Sequence, residues 1–107
     1  LDNVNFQNSI IDTAIYISYV KNSNFSNANL SGVDFQKSNL ENSIFNNTNL
    51  SNCNFIASDI SNADLEDSTV TNTNFSYSKA SNTKWTNGNN LPQNTICSSN
   101  SIGQCNY

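Results

Sequence analysis

Few side chains in this 107-residue chain could carry out chemistry, and their spacing does not assemble a reactive centre. Histidine is absent, which removes the commonest general base and the commonest metal ligand. Glu66 and Asp67 are adjacent acids with nothing to raise a pKa by burial, so a glycosidase pair is not indicated. There is no glycine-rich phosphate loop, and no serine or cysteine has a recognisable base. The cysteines, Cys53, Cys97 and Cys105, lack the histidine that would complete a common zinc site. The reading is no enzyme, no metal and no cofactor. Four basic residues against eight acidic ones give a net charge of −4, which leaves no basic surface for nucleic acid. No run approaches the roughly 18 apolar residues of a membrane span.

Asn, Ser and Thr together supply 49 of the 107 residues, while hydrophobic residues are 36% and charged ones 11%. A conventional domain is about 45–50% apolar and about 25% charged, and a disordered chain has few aromatics and many Pro and Gly. Neither description fits 10% aromatics, one Pro and three Gly. So sparse an apolar set must be strictly placed. Ile10, Ile15, Val20, Phe25, Leu30, Phe35, Leu40, Phe45, Leu50, Phe55, Ile60, Leu65, Val70, Phe75, Ala80 and Trp85 fall at every fifth position. Two residues before most of them stands a small side chain, such as Ala28, Ser43, Cys53 or Ala63, and between the two an Asn or Asp is common. A period of five is neither helical nor strand-like. A chain that turns a corner every five residues, with one large and one small side chain inward on each side, closes a square after 20. Asn and Asp suit such corners because they bond nearby backbone and tolerate unusual dihedrals.

These blocks, for example Ala28-Asn29-Leu30-Ser31-Gly32 and Ala63-Asp64-Leu65-Glu66-Asp67, resemble the pentapeptide-repeat family over residues 8 to 87. The resemblance implies an all-β fold: a right-handed quadrilateral β-helix, a solenoid of about four coils, followed by a tail. The expected organisation is a cap over residues 1–9, the repeat over 10–87 and the tail over 88–107. Val33 and Cys53 depart from the small-residue position, and Ala80 is undersized for its own. The tract Trp85-Thr86-Asn87-Gly88, with Cys97 and Ser101-Ile102-Gly103-Gln104-Cys105, resembles the tail that follows the last coil in many bacterial members. In that setting Cys97 and Cys105 form a disulfide that caps the tube. Cys53, at an inward small-residue position, reads as a buried free thiol.

With 20 residues per coil, the interior forms four columns, two of them aromatic, and Lys21, Lys79 and Lys84 stack on Glu41, Asp59 and Asp64. Such surface pairs contribute about 0–1 kcal/mol each. The register slips before Ile10, so Leu1, Val4 and Phe6 read as a hydrophobic lid. Tyr16, Ile17, Ile56 and Tyr77, with Tyr19 at the next corner, gather outward on one wall as a candidate interaction surface. A chain beginning at Leu1 with a disulfide reads as secreted or periplasmic, with a cytoplasmic site left open. The functional expectation is a rigid, non-catalytic interaction or scaffold module for a protein partner or self-association, in a larger extracytoplasmic assembly. Two alternatives stand beside it. One is a DNA-mimic that binds a topoisomerase, as some relatives do, which would need steep acidity. The other is binding of ice or another regular surface by ladders such as Asn29/Asn49/Thr69.

Overall fold

A five-residue side has room for one extended residue before the chain must turn. The computed structural model describes residues 3–11 and 19–107, and its pairing follows from that constraint. Parallel bridges join residues 20 apart along four lines: Tyr19–Asn39–Asp59–Lys79, Asn24–Ile44–Asp64–Lys84, Asn29–Asn49–Thr69 and Asp34–Asn54–Asn74. Each bridge is isolated. Around Phe55, its amide donates to the Asn74 carbonyl (2.7 Å) and the Ala57 amide to that of Ser76 (2.9 Å). The Asn54 amide points the other way, to the Val33 carbonyl (3.2 Å), and the Ser58 amide closes the corner on the Phe55 carbonyl (3.1 Å).

Asparagine and aspartate serve this unit twice. At the bridge, the side-chain oxygens of Asn24, Asp34, Asn54 and Asp64 accept the amide two residues on, at 2.9–3.0 Å. This is the Asx turn, which starts the corner. Three residues after the bridge, Asn42, Asn47, Asn52, Asn62, Asn72 and Asn82 hold φ of 55–62°, the left-handed region that asparagine tolerates.

The interior combines large apolar side chains with small buried hydroxyls, among them Ser43, Thr48, Ser58, Thr73, Ser78 and Thr83. Val20, Phe25, Leu30, Phe35, Leu40, Phe45, Leu50, Phe55, Ile60, Leu65, Phe75 and Ala80 are fully buried. Phe25 and Phe45 stack with ring centroids 4.8 Å apart, as do Phe35 and Phe55, and the two stacks meet edge to face at 6.1–6.2 Å. Offset and edge-to-face pairs of this kind add about 0.5–1.5 kcal/mol each beyond burial.

The expected all-β, right-handed quadrilateral β-helix needs correction. Among the described residues there is no continuous strand and no sheet, only single-residue bridges separated by turns. The molecule measures 31 × 23 × 22 Å, so it is a compact, turn-rich body and not an elongated solenoid. The cause is the period itself: pairing cannot propagate along a side that offers one extended residue.

The inward register also departs at its start. Asn5 bridges Asn24 and Ile10 bridges Asn29, an offset of 19, one short of the later circuits. Phe6 therefore stacks on Phe25 (4.8 Å, 4° between planes), and Ile11 packs against the core. Ile10, expected inside, is 73% exposed. Val4 and Phe6 belong to this first circuit; Leu1 and Ile15 lie outside the described residues.

At the other end the tail reverses over the last circuit. Asn90, Ile96 and Ile102 make antiparallel bridges to Lys84, Lys79 and Asn74. The amides of Phe75, Tyr77 and Ala80, which would face a further circuit, donate instead to Ser101, Cys97 and Thr95 (2.8–2.9 Å). The edge is thus covered, as exposed pairing edges generally must be. Cys97 and Cys105 are joined by a disulfide that closes the tail on itself.

The one-residue offset gives a direct test. Ile11→Ala should destabilise the protein by about 1–2 kcal/mol, as expected for truncating a half-buried isoleucine. Ile10→Ala should stay within about 0.5 kcal/mol, like other surface changes. Urea denaturation of both variants distinguishes the observed register from an unbroken five-residue series, which predicts the larger loss at Ile10.

Candidate interaction surface

At the corners the sequence varies against a fixed backbone demand, a left-handed φ. Of the left-handed corner residues described in the circuits, those at 3, 8, 22, 27, 42, 47, 52, 62, 72 and 82 are asparagine, 32 is glycine and 67 is aspartate. The remaining three are Lys37 (φ 58°), Ala57 (φ 58°) and Tyr77 (φ 64°). They are 20 residues apart and stack at one corner of the molecule. A side chain with no local hydrogen bond to offer costs roughly 1–2 kcal/mol in this conformation, and residues so held cluster at functional sites.

That corner is also apolar on its outside. Tyr77 is 60% exposed, and its amide is bonded to the Cys97 carbonyl, which sets it beside the returning tail. Ile96, opposite Lys79, is 58% exposed, and Ile102, opposite Asn74, is 44% exposed. Tyr77 lies on the turn between Asn74 and Lys79, so the two isoleucines flank it. Ile96 further lines a groove of about 310 Å³ with Ser61, Lys79, Ser81, Asn94 and Thr95. Inside the same corner, the buried hydroxyls of Ser58 and Ser78 find no partner among the described residues, as does Ser68 elsewhere. By contrast, the hydroxyls of Thr48, Thr73 and Thr83 donate to carbonyls 23 residues earlier at 2.6–2.8 Å.

The residues singled out from sequence divide accordingly. Tyr77 is at the corner and exposed; Ile56, one circuit below, is half-buried. Tyr16 and Ile17 lie outside the described residues. Tyr19 is exposed on the line that ends at Ile96, with the Lys21 ammonium 5.8 Å from its ring. Lys84 Nζ stands 4.0 Å from both Asp64 and Glu66, on the neighbouring line. Lys37, Ile96 and Ile102 were missed. Lys37 and Ala57 could have been found by asking which corners lack Asn, Asp or Gly; no periodic signal marks Ile96 or Ile102.

No group of three potential metal ligands occurs among the described residues. Cys53 is buried and unpaired, with its Sγ donating to the Leu30 carbonyl at 3.0 Å. Burial pushes its thiol up to about 12, against the weaker pull of backbone hydrogen bonds from Val33 and Gly32. A thiol so held is no nucleophile at neutral pH.

Comparison with known proteins fits this architecture. The Pentapeptide repeat region family matches residues 18–92. The chain belongs to the pentapeptide-repeat family. Among solved structures it is similar to HetL, a pentapeptide repeat protein involved in heterocyst differentiation regulation from Nostoc sp. strain PCC 7120 (TM-score 0.73, 14% identity). That match covers 78% of this chain and 35% of HetL, and at such identity it speaks to the fold alone. QnrB1, a plasmid-mediated fluoroquinolone resistance protein, matches with a TM-score of 0.44 at 20% identity, over 78% of this chain and 46% of its own. Rfr23 from the cyanobacterium Cyanothece 51142 matches at 0.43 and 20%, over 73% and 74%. Both lie too far from this backbone to support further argument. The chain spans about a third to a half of the length of HetL and QnrB1. No curated protein sequence matches significantly. No helix among the described residues is long and apolar enough to cross a membrane.

The expectation of a rod-like rigid scaffold is corrected here as well, since it rested on an elongated solenoid that the compact body does not form. The DNA-mimic alternative, which needed steep acidity, and the ice-binding alternative, which needed extended regular ladders, gain no support from a compact body of net charge −4.

Two outcomes are expected for this pentapeptide-repeat chain. Lys37→Asn, Ala57→Asn and Tyr77→Asn should each raise stability by about 0.5–1 kcal/mol by relieving the left-handed backbone; equal or lower melting temperatures would remove the claim of strain. Separately, the fold keeps the Cys53 proton up to a pH of about 12, against 9.0 for an ordinary thiol. Its contribution is therefore complete below pH 9 and is lost as pH rises from there towards 12. Thermal melts between pH 8 and 10.5 should fall more steeply for the wild type than for Cys53→Ser.

Proposed function

We propose that this chain is a non-catalytic protein-recognition domain that binds a protein partner through the Tyr77 corner. The observation that carries the reading is a coincidence of two independent features at one place. The single column of corners that abandons Asn, Asp and Gly is also where Tyr77, Ile96 and Ile102 are exposed together. A tyrosine kept in a conformation that disfavours it, and kept largely in solvent, contributes little to folding. Tyrosine is among the residues that dominate binding energy at interfaces, because its ring buries a large apolar area at low entropic cost. The groove beside Ile96, with the Lys79 ammonium and the Ser61 and Ser81 hydroxyls, supplies polar contacts around that anchor. A partner suited to this corner presents an apolar cleft for the tyrosine and oxygen acceptors around it.

The test separates binding from folding. Tyr77→Asn should lose the partner retained by the wild type from native extract while melting at a higher temperature. Asn62→Ala, at a corner on another column, should retain the partner and melt lower. Retention of the partner by Tyr77→Asn, or loss by both variants alike, overturns the reading.

A further inference from the structure

We infer that the groove beside Ile96 receives the C-terminal carboxylate of the partner protein, with an aliphatic last side chain lying against Ile96. This occupant presupposes that the Tyr77 corner recognises a protein, as proposed above. The groove exists because the tail recrosses the circuits there. Ser61, Lys79 and Ser81 come from the circuits, and Asn94, Thr95 and Ile96 from the tail. Its volume of about 310 Å³ stands at the lower end of the range for ligand pockets, and is more than a lone carboxylate fills.

The two walls of the groove are fixed to each other by the backbone. Lys79 and Ile96 form an antiparallel bridge. The Ala80 amide donates to the Thr95 carbonyl (2.9 Å), and the Asn94 amide to the Ser81 Oγ (2.9 Å). Residues directly opposite in an antiparallel pair carry their side chains on one face, with Cβ atoms about 4.5–5.5 Å apart. An ammonium and an aliphatic side chain thus stand side by side, and both are exposed. A site already held in place loses little affinity to ordering.

The polar groups of the groove are mostly donors. Lys84, on the neighbouring line, has Asp64 and Glu66 at 4.0 Å, but Lys79 forms no ion pair among the described residues. Asp59 adjoins Lys79 on the same line of bridges, yet its Oδ1 accepts the Ser61 amide (3.0 Å). The Thr95 hydroxyl is spent on the Pro92 carbonyl (2.7 Å). The Ser81 Oγ accepts from Asn94, which leaves its proton for another acceptor. Lys79 and Ser81 therefore offer a cation and a hydroxyl donor to an entering oxygen, with the Ser61 hydroxyl and the Asn94 side-chain amide lining the same groove. Such charge-assisted bonds to a carboxylate are roughly twice as strong as neutral ones. In a chain of net charge −4 with Asp59 close by, Lys79 balances one negative charge, and the second charge of a phosphate is left unbalanced. A chain terminus carries its carboxylate and its last side chain on one Cα, which matches an ammonium beside an isoleucine. An aspartate or glutamate side chain brings the charge without the apolar group.

N-acetyl-leucine carries both groups and probes residues 1–107 without any partner. In NMR titrations it should shift the Ser81, Asn94 and Ile96 amides saturably, with dissociation on the order of 1–10 mM for so small a ligand. N-acetyl-leucine methylamide, and an aspartate capped at both ends, should bind at least about tenfold more weakly, the loss expected for one charged contact or its apolar companion. Lys79→Gln should weaken N-acetyl-leucine by about tenfold or more. Its melting temperature should not fall, because the side chain is exposed. Wild-type binding should also weaken as salt is raised. Absence of saturation by about 50 mM overturns the inference, as does binding that salt or Lys79→Gln leaves unchanged. Equal binding of the methylamide overturns it because the charge is then not read, and equal binding of the capped aspartate because a side-chain carboxylate then suffices. If the probe fails while Tyr77→Asn still loses the partner, only the carboxylate site falls and the protein-recognition reading stands.

Discussion

A residue in the left-handed region at each corner is the constraint on which the rest of this molecule depends. It lets the chain reverse within five residues, and so lets the backbone amides of one circuit reach the carbonyls of the next. Asparagine meets the demand most often because its side chain can compensate locally for a conformation that costs other L-residues roughly 1–2 kcal/mol. The high Asn count is therefore a backbone requirement, and the low hydrophobic fraction is its consequence. With one position in five given to the corner and another to the Asx turn, one large and one small side chain remain for the interior. Most of those that remain are buried completely, with Val70 and Trp85 half-buried, and the phenylalanines stack at 4.8–5.2 Å, close to the spacing of paired strands.

The same constraint limits how such a body can end. Each circuit presents unpaired amides and carbonyls along its free rim, and these must be met by something. At the upper rim the chain meets them by abandoning its period. Asn87-Gly88 turns it back, and Gly88 can do so because its φ of 84° is a conformation that L side chains rarely adopt. The tail then pairs in the reverse direction, and the Cys97–Cys105 disulfide holds the part that covers Phe75 and Tyr77. The first circuit, within residues 3–11, is the repeat itself, paired to the next at an offset of 19.

What the sequence made legible follows from which residues obey the period. The buried side chains from Val20 to Ala80 can be read off because each large residue has a single place to go. Cys53 can be placed among them for the same reason, and its raised thiol pKa follows from burial. Ile10 could not be placed correctly, because the first circuit pairs with the next at an offset of 19 and a count in steps of 20 carried backwards passes over that change. Continuous strands were expected where single bridges occur, because the column spacing of a sheet says nothing about how many residues per side pair. Ile96 and Ile102 were invisible for a different reason. Their exposure depends on the direction in which the tail recrosses the last circuit, and no local pattern encodes that.

The interaction corner is legible only as a breach of the rule that makes the fold. Where a position is free, an exposed tyrosine or lysine needs no explanation. Where the backbone demands asparagine or glycine and those residues fill every other column apart from one aspartate, three exceptions in one column are informative. Lys37, Ala57 and Tyr77 hold the left-handed φ without being Asn, Asp or Gly, and the hydroxyls of Ser58 and Ser78 behind two of them have no partner among the described residues. The fold accepts that cost along a single vertical line, the line that the returning tail flanks with Ile96 and Ile102. Stability accounts for the other three corners and not for this one, and that difference is what the proposed contact with a partner rests on.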